Sequence, residues 1–426
     1  MKATVAKAAI DLWFVLLLIA TYPINYPIFA SIRPVDVVLM SFVGWGVFHN
    51  RIRLTNVYCL VVVFGMLMCL SAIYGTMVIG VEYPENLIFF YKYGVLFLGT
   101  WLIMSSRLTE PQVFCAMRAL LVSFVVVVIY VLLTVGQKAI MHPDSIATFR
   151  PNFPFTPPVG EQGGYLGDAH LLAAYLSTGL VAVFLFQETG LLRLHPLLCD
   201  VVLLLAGTAM VLTGSRNGIV TSAAVLFGFL LVSVRDRLLR VDGLLRIRRN
   251  TLRMFICTVL IVGVAWTVGA RYADILGKLD RLLTRATSID FSDDRSAMGR
   301  VKKLTAAADI VLDGPVVIGI GMQSSPRRFY DGAVAALLVS SGCMGLGVYA
   351  AIIYFFLAGV RREAARNRRK AEYSILLFVT ANYILANLIT EFFLVSRSVV
   401  PFCVFLGLMA KWIHISKHHI CDHEVG

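Results

Sequence analysis

One apolar stretch of the chain opens with Asp331-Gly-Ala-Val-Ala-Ala-Leu-Leu-Val-Ser-Ser-Gly342-Cys-Met-Gly345. It follows a hydrophilic segment, residues 271–330, that interrupts an otherwise strongly apolar sequence. Ionisable side chains close to the bilayer are usually retained for a function. We therefore take Asp331 as the candidate catalytic residue. The alternative interpretation is that Asp331 caps the helix that follows it, since Asp is a favoured N-cap residue.

The composition assigns the chain to the membrane proteins. Its 426 residues are 58% hydrophobic and have a mean hydropathy of +0.80, which is too apolar for a single soluble core. We predict an all-α integral membrane protein of about 12 transmembrane helices, each able to cross roughly 30 Å of hydrocarbon. Their centres fall near residues 18, 42, 68, 96, 124, 178, 205, 226, 261, 345, 382 and 406.

Basic residues indicate the orientation, because Lys and Arg in short loops stay on the cytoplasmic side. They collect in every second connection, most densely in two runs: Arg235, Arg237, Arg240, Arg246, Arg248 and Arg249, then Arg361, Arg362, Arg366, Arg368, Arg369 and Lys370. We predict a multi-pass protein of the bacterial inner membrane with both termini in the cytoplasm. The formal charge of +13 then reflects topology and contact with membrane lipid, and no nucleic-acid partner is expected. Docking of a partner protein is the alternative role of these runs.

The predicted spans and loops divide the chain into six parts. Residues 1–136 carry helices 1–5, 137–167 a first periplasmic loop, 168–270 helices 6–9, 271–330 a large periplasmic loop, 331–416 helices 10–12, and 417–426 a cytoplasmic tail. The tail contains His418, His419, Cys421 and His423. Although these side chains can bind metals, we interpret the tail as solvated and expect no metal site.

Long loops in compact proteins usually have a function. The first long loop, residues 137–167, is rich in proline, which excludes one regular helix. This loop is either a lid or sugar-contacting surface, or an extended spacer. Within the second, helical spacing predicts short amphipathic helices over residues 272–283 and 296–312. We expect these helices to lie on the membrane surface and to cap a cavity. A break at residues 313–315 and the glycine-punctuated stretch 316–321 then lead to Asp331.

Arg216 lies in the turn Thr213-Gly-Ser-Arg216-Asn-Gly218 between the seventh and eighth predicted spans. A positive charge on the outer side opposes the usual bias. A diphosphate would explain it, because a helix N-terminus offers free backbone N–H groups and a guanidinium binds phosphate oxygens in pairs. The alternative is an arginine that reaches the lipid phosphates.

Three motifs together resemble the O-antigen ligase and polymerase superfamily of membrane glycosyltransferases. The turn ending at Arg216 is similar to the family's Ser-Arg turn. Gly299-Arg300, Pro315, Gly319 and Gly321 resemble its loop pattern, and residues 331–345 follow the frame of its third motif. The family usually begins that frame with His followed by Asn, Ser or Gln, whereas this chain has Asp331.

The resemblance implies a GT-C-type fold and a reaction without a metal or another cofactor. A glycan would pass from undecaprenyl diphosphate to an acceptor sugar. Arg216 and Arg300 would neutralise the diphosphate, with Arg295, Lys302 and Lys303 as secondary candidates, and Asp331 would take the place of the family's histidine. A helix N-terminus favours an ionised carboxylate, so Asp331 suits orienting the acceptor hydroxyl better than removing its proton.

Other polar residues compete for the role of Asp331. His170 stands at the outer start of the sixth span, where a structural role is the alternative. Glu391 and Arg397 flank the outer ends of the last two spans and could form a functional carboxylate with its partner, or an ion pair that ties two helices together.

We therefore predict a polysaccharide polymerase with its active site facing the periplasm. Its partners would be an undecaprenyl-diphosphate-linked oligosaccharide, an acceptor glycan in O-antigen, capsule or exopolysaccharide synthesis, membrane lipid, and a chain-length regulator protein. An O-antigen ligase that joins glycan to lipid A core is the second interpretation, and a protein O-glycosylating enzyme the third. A transporter or flippase, for which Lys92 could line a path, is disfavoured because the two halves show no internal repeat.

Overall fold

A computed structural model describes twelve stretches and a few isolated positions of the chain. The stretches are residues 2–24, 33–49, 56–79, 97–141, 153–154, 167–192, 195–213, 215–238, 305–306, 316–321, 333–389 and 396–415; the single positions are 94, 151, 302, 309 and 312. Within these residues every regular element is a helix. The protein is therefore an all-helical membrane protein, as its composition predicts.

Ten α-helices are named here in chain order: α1 (Lys2–Thr21), α2 (Pro34–Phe48), α3 (Asn56–Tyr74), α4 (Glu110–Met141), α5 (Gly167–Thr189), α6 (Pro196–Leu212), α7 (Arg216–Leu238), α8 (Ala333–Arg366), α9 (Lys370–Ile389) and α10 (Ser396–His414). A π-helical turn, Gly75–Ile79, extends α3. Each α-helix contains one predicted span centre. The centre near residue 96 lies beside helical residues 97–105, and the centre near residue 261 lies outside the described residues.

Five helical segments in the described part of the chain are long and apolar enough to cross a membrane: Val57–Met77, Glu110–Met141, Leu171–Thr189, Val334–Arg366 and Lys370–Leu388. Shorter apolar helices occur at Pro34–Phe48, Pro196–Leu212, Gly218–Phe229 and Val399–His414. The total of twelve spans stays a prediction. In the second loop, residues 302, 305, 306, 309 and 312 are helical and exposed, in agreement with the helix predicted over residues 296–312.

The described residues group into two compact units. The first draws on residues 1–120, 291–377 and 387–426, and the second on residues 121–290 and 378–386. In the first unit, the buried carboxylate of Asp11 on α1 accepts hydrogen bonds from the Trp45 indole (3.1 Å) and the Arg107 amide (2.8 Å). One charged group thus ties α1 to α2 and to the turn before α4.

A second buried ionic cluster in the first unit centres on Arg369, which is only 2% exposed. Its guanidinium donates to Glu372 at 3.1 Å and to Glu110 at 2.9 Å, and it lies over the ring of Trp412. The Trp412 indole also donates to Glu110, at 3.2 Å. Arg369 therefore joins α4, α9 and α10. The assignment of the whole basic run to topology and lipid contact is wrong for this residue, because its side chain is buried and paired within the protein.

The second unit is built on close contacts of α5. A Cβ atom on Gly179 would overlap the ring of Phe124, so α4 and α5 approach closely there. Farther in, Ser177 donates to the Asn382 carbonyl oxygen at 3.2 Å, and the Asn382 amide donates to Thr178 at 3.2 Å. Thr221 of α7 lies 3.4 Å from Ser177. These buried polar side chains satisfy one another, as polar groups between membrane helices must.

Candidate functional site

The structure describes four of the predicted site residues in part. Arg216 is the first residue of α7, His170 lies in the first turn of α5, and Arg397 in the first turn of α10; their side chains lie outside the described structure. Lys302 is helical and exposed. The other predicted site residues, Asp331, Arg300, Arg295, Lys303 and Glu391, lie outside the described residues.

The turn before Arg216 is buried and internally hydrogen-bonded. Thr213 and Ser215 are 0% and 1% exposed. The Thr213 hydroxyl donates to the Met210 carbonyl at 2.7 Å and accepts from the Ser215 amide at 3.3 Å. The threonine therefore closes the end of α6 and fixes the chain where α7 begins. Arg216 is thus the first residue of a helix that follows a buried, internally hydrogen-bonded turn.

Helices α5 and α7 run in the same direction and meet near their N-termini. A Cβ atom on Gly218 would lie 2.7 Å from the Ala173 carbonyl oxygen, so the two backbones touch at these positions. About one turn farther along both helices, Ser177 of α5 lies 3.4 Å from Thr221 of α7. Residue numbers therefore increase in the same direction along the two helices. The first turns of the two helices, which carry His170 and Arg216, therefore lie at the same end of this unit. The sequence analysis gave His170 and Arg216 unrelated roles, whereas the structure places the helix ends that carry them side by side.

The first unit contains an interruption in α8 at Gly342, whose φ of 65° and ψ of −170° are not helical. In an unbroken helix the amides of Cys343 and Met344 would donate to the carbonyls of Val339 and Ser340. Here Cys343 donates to Val316 at 2.9 Å and Met344 donates to Val317 at 3.1 Å. The carbonyls of residues 316 and 317, in the glycine-punctuated stretch, thus accept hydrogen bonds from two amides of α8.

The two carbonyls released by the break also find partners. The Ile320 amide donates to the Val339 carbonyl at 2.9 Å, and the Ser71 hydroxyl of α3 donates to the Ser340 carbonyl. The same Ser71 oxygen accepts a 2.6 Å hydrogen bond from the Gly321 amide. Unpaired backbone groups are costly in a membrane protein, and this exchange leaves each of these groups paired.

Glycines allow three backbone segments to approach one another at the break. A Cβ atom on Gly319 would lie 2.6 Å from the Gly342 amide nitrogen, and one on Gly342 would overlap the Val317 carbonyl. On the α3 side, a Cβ atom on Gly75 would overlap the Ile320 carbonyl. Gly319 and Gly321 both have positive φ, 72° and 77°, which side chains disfavour. Glycines of two predicted motifs thus have the same structural role, which is to let the backbone segments pack closely at the break.

Ser71 was not among the predicted site residues. It is fully buried on α3, a helix far from the motifs in the sequence, and a serine within an apolar span has no local pattern that marks it. Only the contacts of its hydroxyl with Gly321 and Ser340 reveal its role.

The comparisons with known proteins agree with the motif resemblance. A family described as O-Antigen ligase matches residues 201–345. That segment begins within α6 and ends within α8, so it contains the Arg216 turn, Arg300, Asp331 and the interruption of α8. No curated protein matches the chain. Residues 201–345 are therefore similar to the O-antigen ligase family, which supports the resemblance to the O-antigen ligase and polymerase superfamily.

Proposed function

We propose that the protein is a glycosyltransferase of the periplasmic membrane face that polymerises undecaprenyl-diphosphate-linked glycan. The observation that carries the proposal is the O-antigen ligase match over residues 201–345, which includes the buried turn at Arg216. The reaction class follows from the family: members transfer a lipid-linked glycan to an acceptor. The polymerase assignment follows from the departure at Asp331 from the family's usual histidine.

In the proposed reaction, the bond between the anomeric carbon and the diphosphate oxygen breaks. A bond forms between that carbon and the acceptor hydroxyl oxygen, and the hydroxyl proton is released. The leaving group is undecaprenyl diphosphate, whose negative charge grows as the bond breaks. Catalysis therefore needs positive groups at the diphosphate and a group that orients the hydroxyl.

Arg216 is proposed to bind the diphosphate with Arg300. The first residue of α7 follows a turn held by Thr213 and buried in the protein. The helix N-terminus adds its own positive dipole end and free N–H groups. A planar guanidinium can donate two parallel hydrogen bonds to phosphate oxygens. His170, in the first turn of the adjacent helix α5, is a further candidate to contact the donor.

Asp331 is proposed to orient the acceptor hydroxyl. It stands two residues before α8, the helix whose interruption is paired with residues 316–320 of the second loop. A carboxylate accepts a hydrogen bond from a hydroxyl and so fixes the direction of its lone pair. Correct placement of a nucleophile can supply much of an enzymatic rate increase.

An O-antigen ligase is the second candidate function, favoured by the description of the matching family. The bond changes would be the same, and the acceptor would be lipid A core instead of a growing glycan. The difference therefore lies in which lipid-linked species builds up when the protein is missing.

The experiment is a glycan gel and a profile of lipid-linked intermediates from cells that lack the protein, complemented with wild type, Asp331→Ala or Asp331→His. A polymerase predicts single lipid-linked repeats on the periplasmic side, and no long chains with Asp331→Ala. Long lipid-linked chains that stay unattached would identify a ligase. Repeats held on the cytoplasmic side would contradict the proposal and identify a flippase.

A further inference from the structure

Two apolar side chains of the second loop are exposed beside a helix that can cross the membrane. Val316 and Val317 are 37% and 55% exposed. Their carbonyl groups accept hydrogen bonds from the amides of Cys343 and Met344. Met344 is itself exposed and belongs to Val334–Arg366, which is long and apolar enough to span a bilayer. The two valines therefore lie at the same level along α8 as Cys343 and Met344.

The valines continue apolar stripes of the helices on either side. On α8 the exposed residues recur three or four positions apart, and the stripe consists of Cys343, Met344, Gly347, Ala350, Tyr354 and Phe355. On α3 a similar exposed stripe consists of Met66, Leu70, Ile73 and Met77. A helix that exposes apolar side chains along its length meets lipid in a membrane protein. Residues 316–321 join the two stripes, because the carbonyl of Ile320 packs against Gly75 of α3.

The length of α8 gives the depth of the valines. Arg361 is exposed on this helix, and an exposed arginine near a helix end marks the edge of the hydrocarbon. At about 1.5 Å per residue, Met344 lies about 26 Å along the helix from Arg361. This distance is shorter than the roughly 30 Å of hydrocarbon, and any tilt of the helix shortens it further. Met344 and the adjacent Val317 therefore lie within the hydrocarbon, in the leaflet opposite Arg361.

The backbone of this segment is paired in the way that hydrocarbon requires. Backbone groups that face lipid have no water to bind and need partners within the protein. Besides the two valine carbonyls, the Ile320 amide donates to the Val339 carbonyl at 2.9 Å. The Gly321 amide donates to the Ser71 hydroxyl at 2.6 Å. A turn on a wet surface could leave these groups to water, whereas a turn in lipid could not.

We propose that residues 316–321 form a re-entrant segment of the membrane domain, in which Val316 and Val317 contact the acyl chains of phospholipid. The partner is lipid because the exposed valines are continuous with the apolar stripe of α8. Part of residues 271–330 then lies within the bilayer, in contrast to the periplasmic loop predicted over that whole range. The proposal requires that α8 crosses the membrane and is independent of the proposed glycan transfer.

Photocrosslinking of purified full-length protein tests the contact. The photoreactive residue p-benzoylphenylalanine replaces Val317, and the protein is placed in vesicles of phosphatidylethanolamine and phosphatidylglycerol with a trace of acyl-tritiated phosphatidylethanolamine. The same residue replaces Val126, exposed midway along α4, as the positive control, and Arg366, exposed on α8 beyond Arg361, as the negative control. Irradiation should label the protein at position 317 about as strongly as at 126, and about tenfold more than at 366, because acyl chains fill only the hydrocarbon core.

A charge at the same position gives a second readout that needs no photoreactive group. Val317→Asp places a carboxylate against acyl chains, which should lower the equilibrium constant for folding about 100-fold. Val317→Thr has nearly the same size and no charge, and it should lower that constant much less. Unfolding of both variants is followed in the same vesicles. In water an exposed aspartate would behave like the threonine.

Each outcome decides the proposal. Labelling at position 317 no stronger than at 366 would overturn it, as would equal stability of Val317→Asp and Val317→Thr. Loss of the label on addition of a small amount of undecaprenyl phosphate would also overturn it, because the valines would then bind a polyprenyl chain selectively. If the photoreactive residue at 317 prevents folding, the same replacement at Val316 gives the test, since that side chain is also exposed.

Discussion

The backbones of Gly218 and Ala173 touch: a Cβ atom on Gly218 would lie 2.7 Å from the Ala173 carbonyl oxygen. This contact sets the spacing between the first turns of α5 and α7. Because Arg216 begins α7, the position of its backbone depends on that spacing. A methyl group at Gly218 would have to push the two helices apart.

Gly218→Ala should therefore lower both stability and transfer. Overpacking typically costs about 1–3 kcal/mol, and a displaced Arg216 should reduce glycan transfer by about 10-fold. The control is Gly228→Ala on the same helix, where a Cβ atom meets nothing within 4 Å. Thermal unfolding in detergent and polymer yield per amount of protein would be measured. Equal behaviour of the two variants would show that the contact has no functional role.

Arg216→Ala should abolish product while leaving the protein in the membrane, and Arg300→Ala should act in the same way. Removing one group that stabilises developing charge typically lowers kcat about 100-fold or more. Arg216→Lys should recover only part of the activity, because an ammonium cannot bind two phosphate oxygens in parallel. Arg362→Ala, at an exposed position of α8, is the control. Normal polymer from either site variant would contradict diphosphate binding by that arginine.

Gly342→Ala should destabilise the first unit. The residue has a φ of 65°, a strain of about 1–3 kcal/mol for a side chain, and the added methyl would overlap the Val317 carbonyl. Gly347→Ala on the same helix meets nothing within 4 Å and should be tolerated or stabilising. Membrane yield and thermal unfolding would show the difference. A Gly342→Ala protein as stable as Gly347→Ala would contradict the interruption of α8.

Arg369→Ala should be strongly destabilising, by about 3–5 kcal/mol, because it leaves the buried carboxylate of Glu372 without its cation. The half-buried Glu110 loses the same partner. The nearby Arg366→Ala, at an exposed position, should have little effect. The check is thermal unfolding of both variants in the same detergent. Arg369→Lys should recover little of the loss, since one ammonium cannot reproduce the two separate guanidinium bonds to Glu372 and Glu110.

Hydropathy was enough to locate the ten described α-helices, because a segment that crosses hydrocarbon must be apolar whatever its neighbours are. The interruption of α8 could not be found in this way. Its cause is non-local: amides of Cys343 and Met344 donate to carbonyls of residues 316 and 317, and nothing in the local sequence specifies that exchange. Glycine at position 342 allows the break but does not require it.

The candidate site was predicted in part. The motif positions placed Arg216 at a turn between two helices, and the structure confirms a buried turn that opens α7. Ser71 could not be predicted, since its importance comes from two partners far along the chain. Arg369 was grouped with a basic run by composition alone, whereas burial and ion pairing separate it from the exposed arginines beside it. The roles of Asp331 and Arg300 stay predictions.

The order of the residues around Gly342 has a consequence for biosynthesis. Ser71, Val316, Val317 and Ile320 all precede the interruption of α8 in the chain. When Met344 leaves the ribosome, each partner that its disrupted turn needs has already been made. The helix therefore need not enter lipid with bare amides and wait for a later segment. Synthesis from the N-terminus thus supplies the backbone partners of Cys343 and Met344 before α8 is complete.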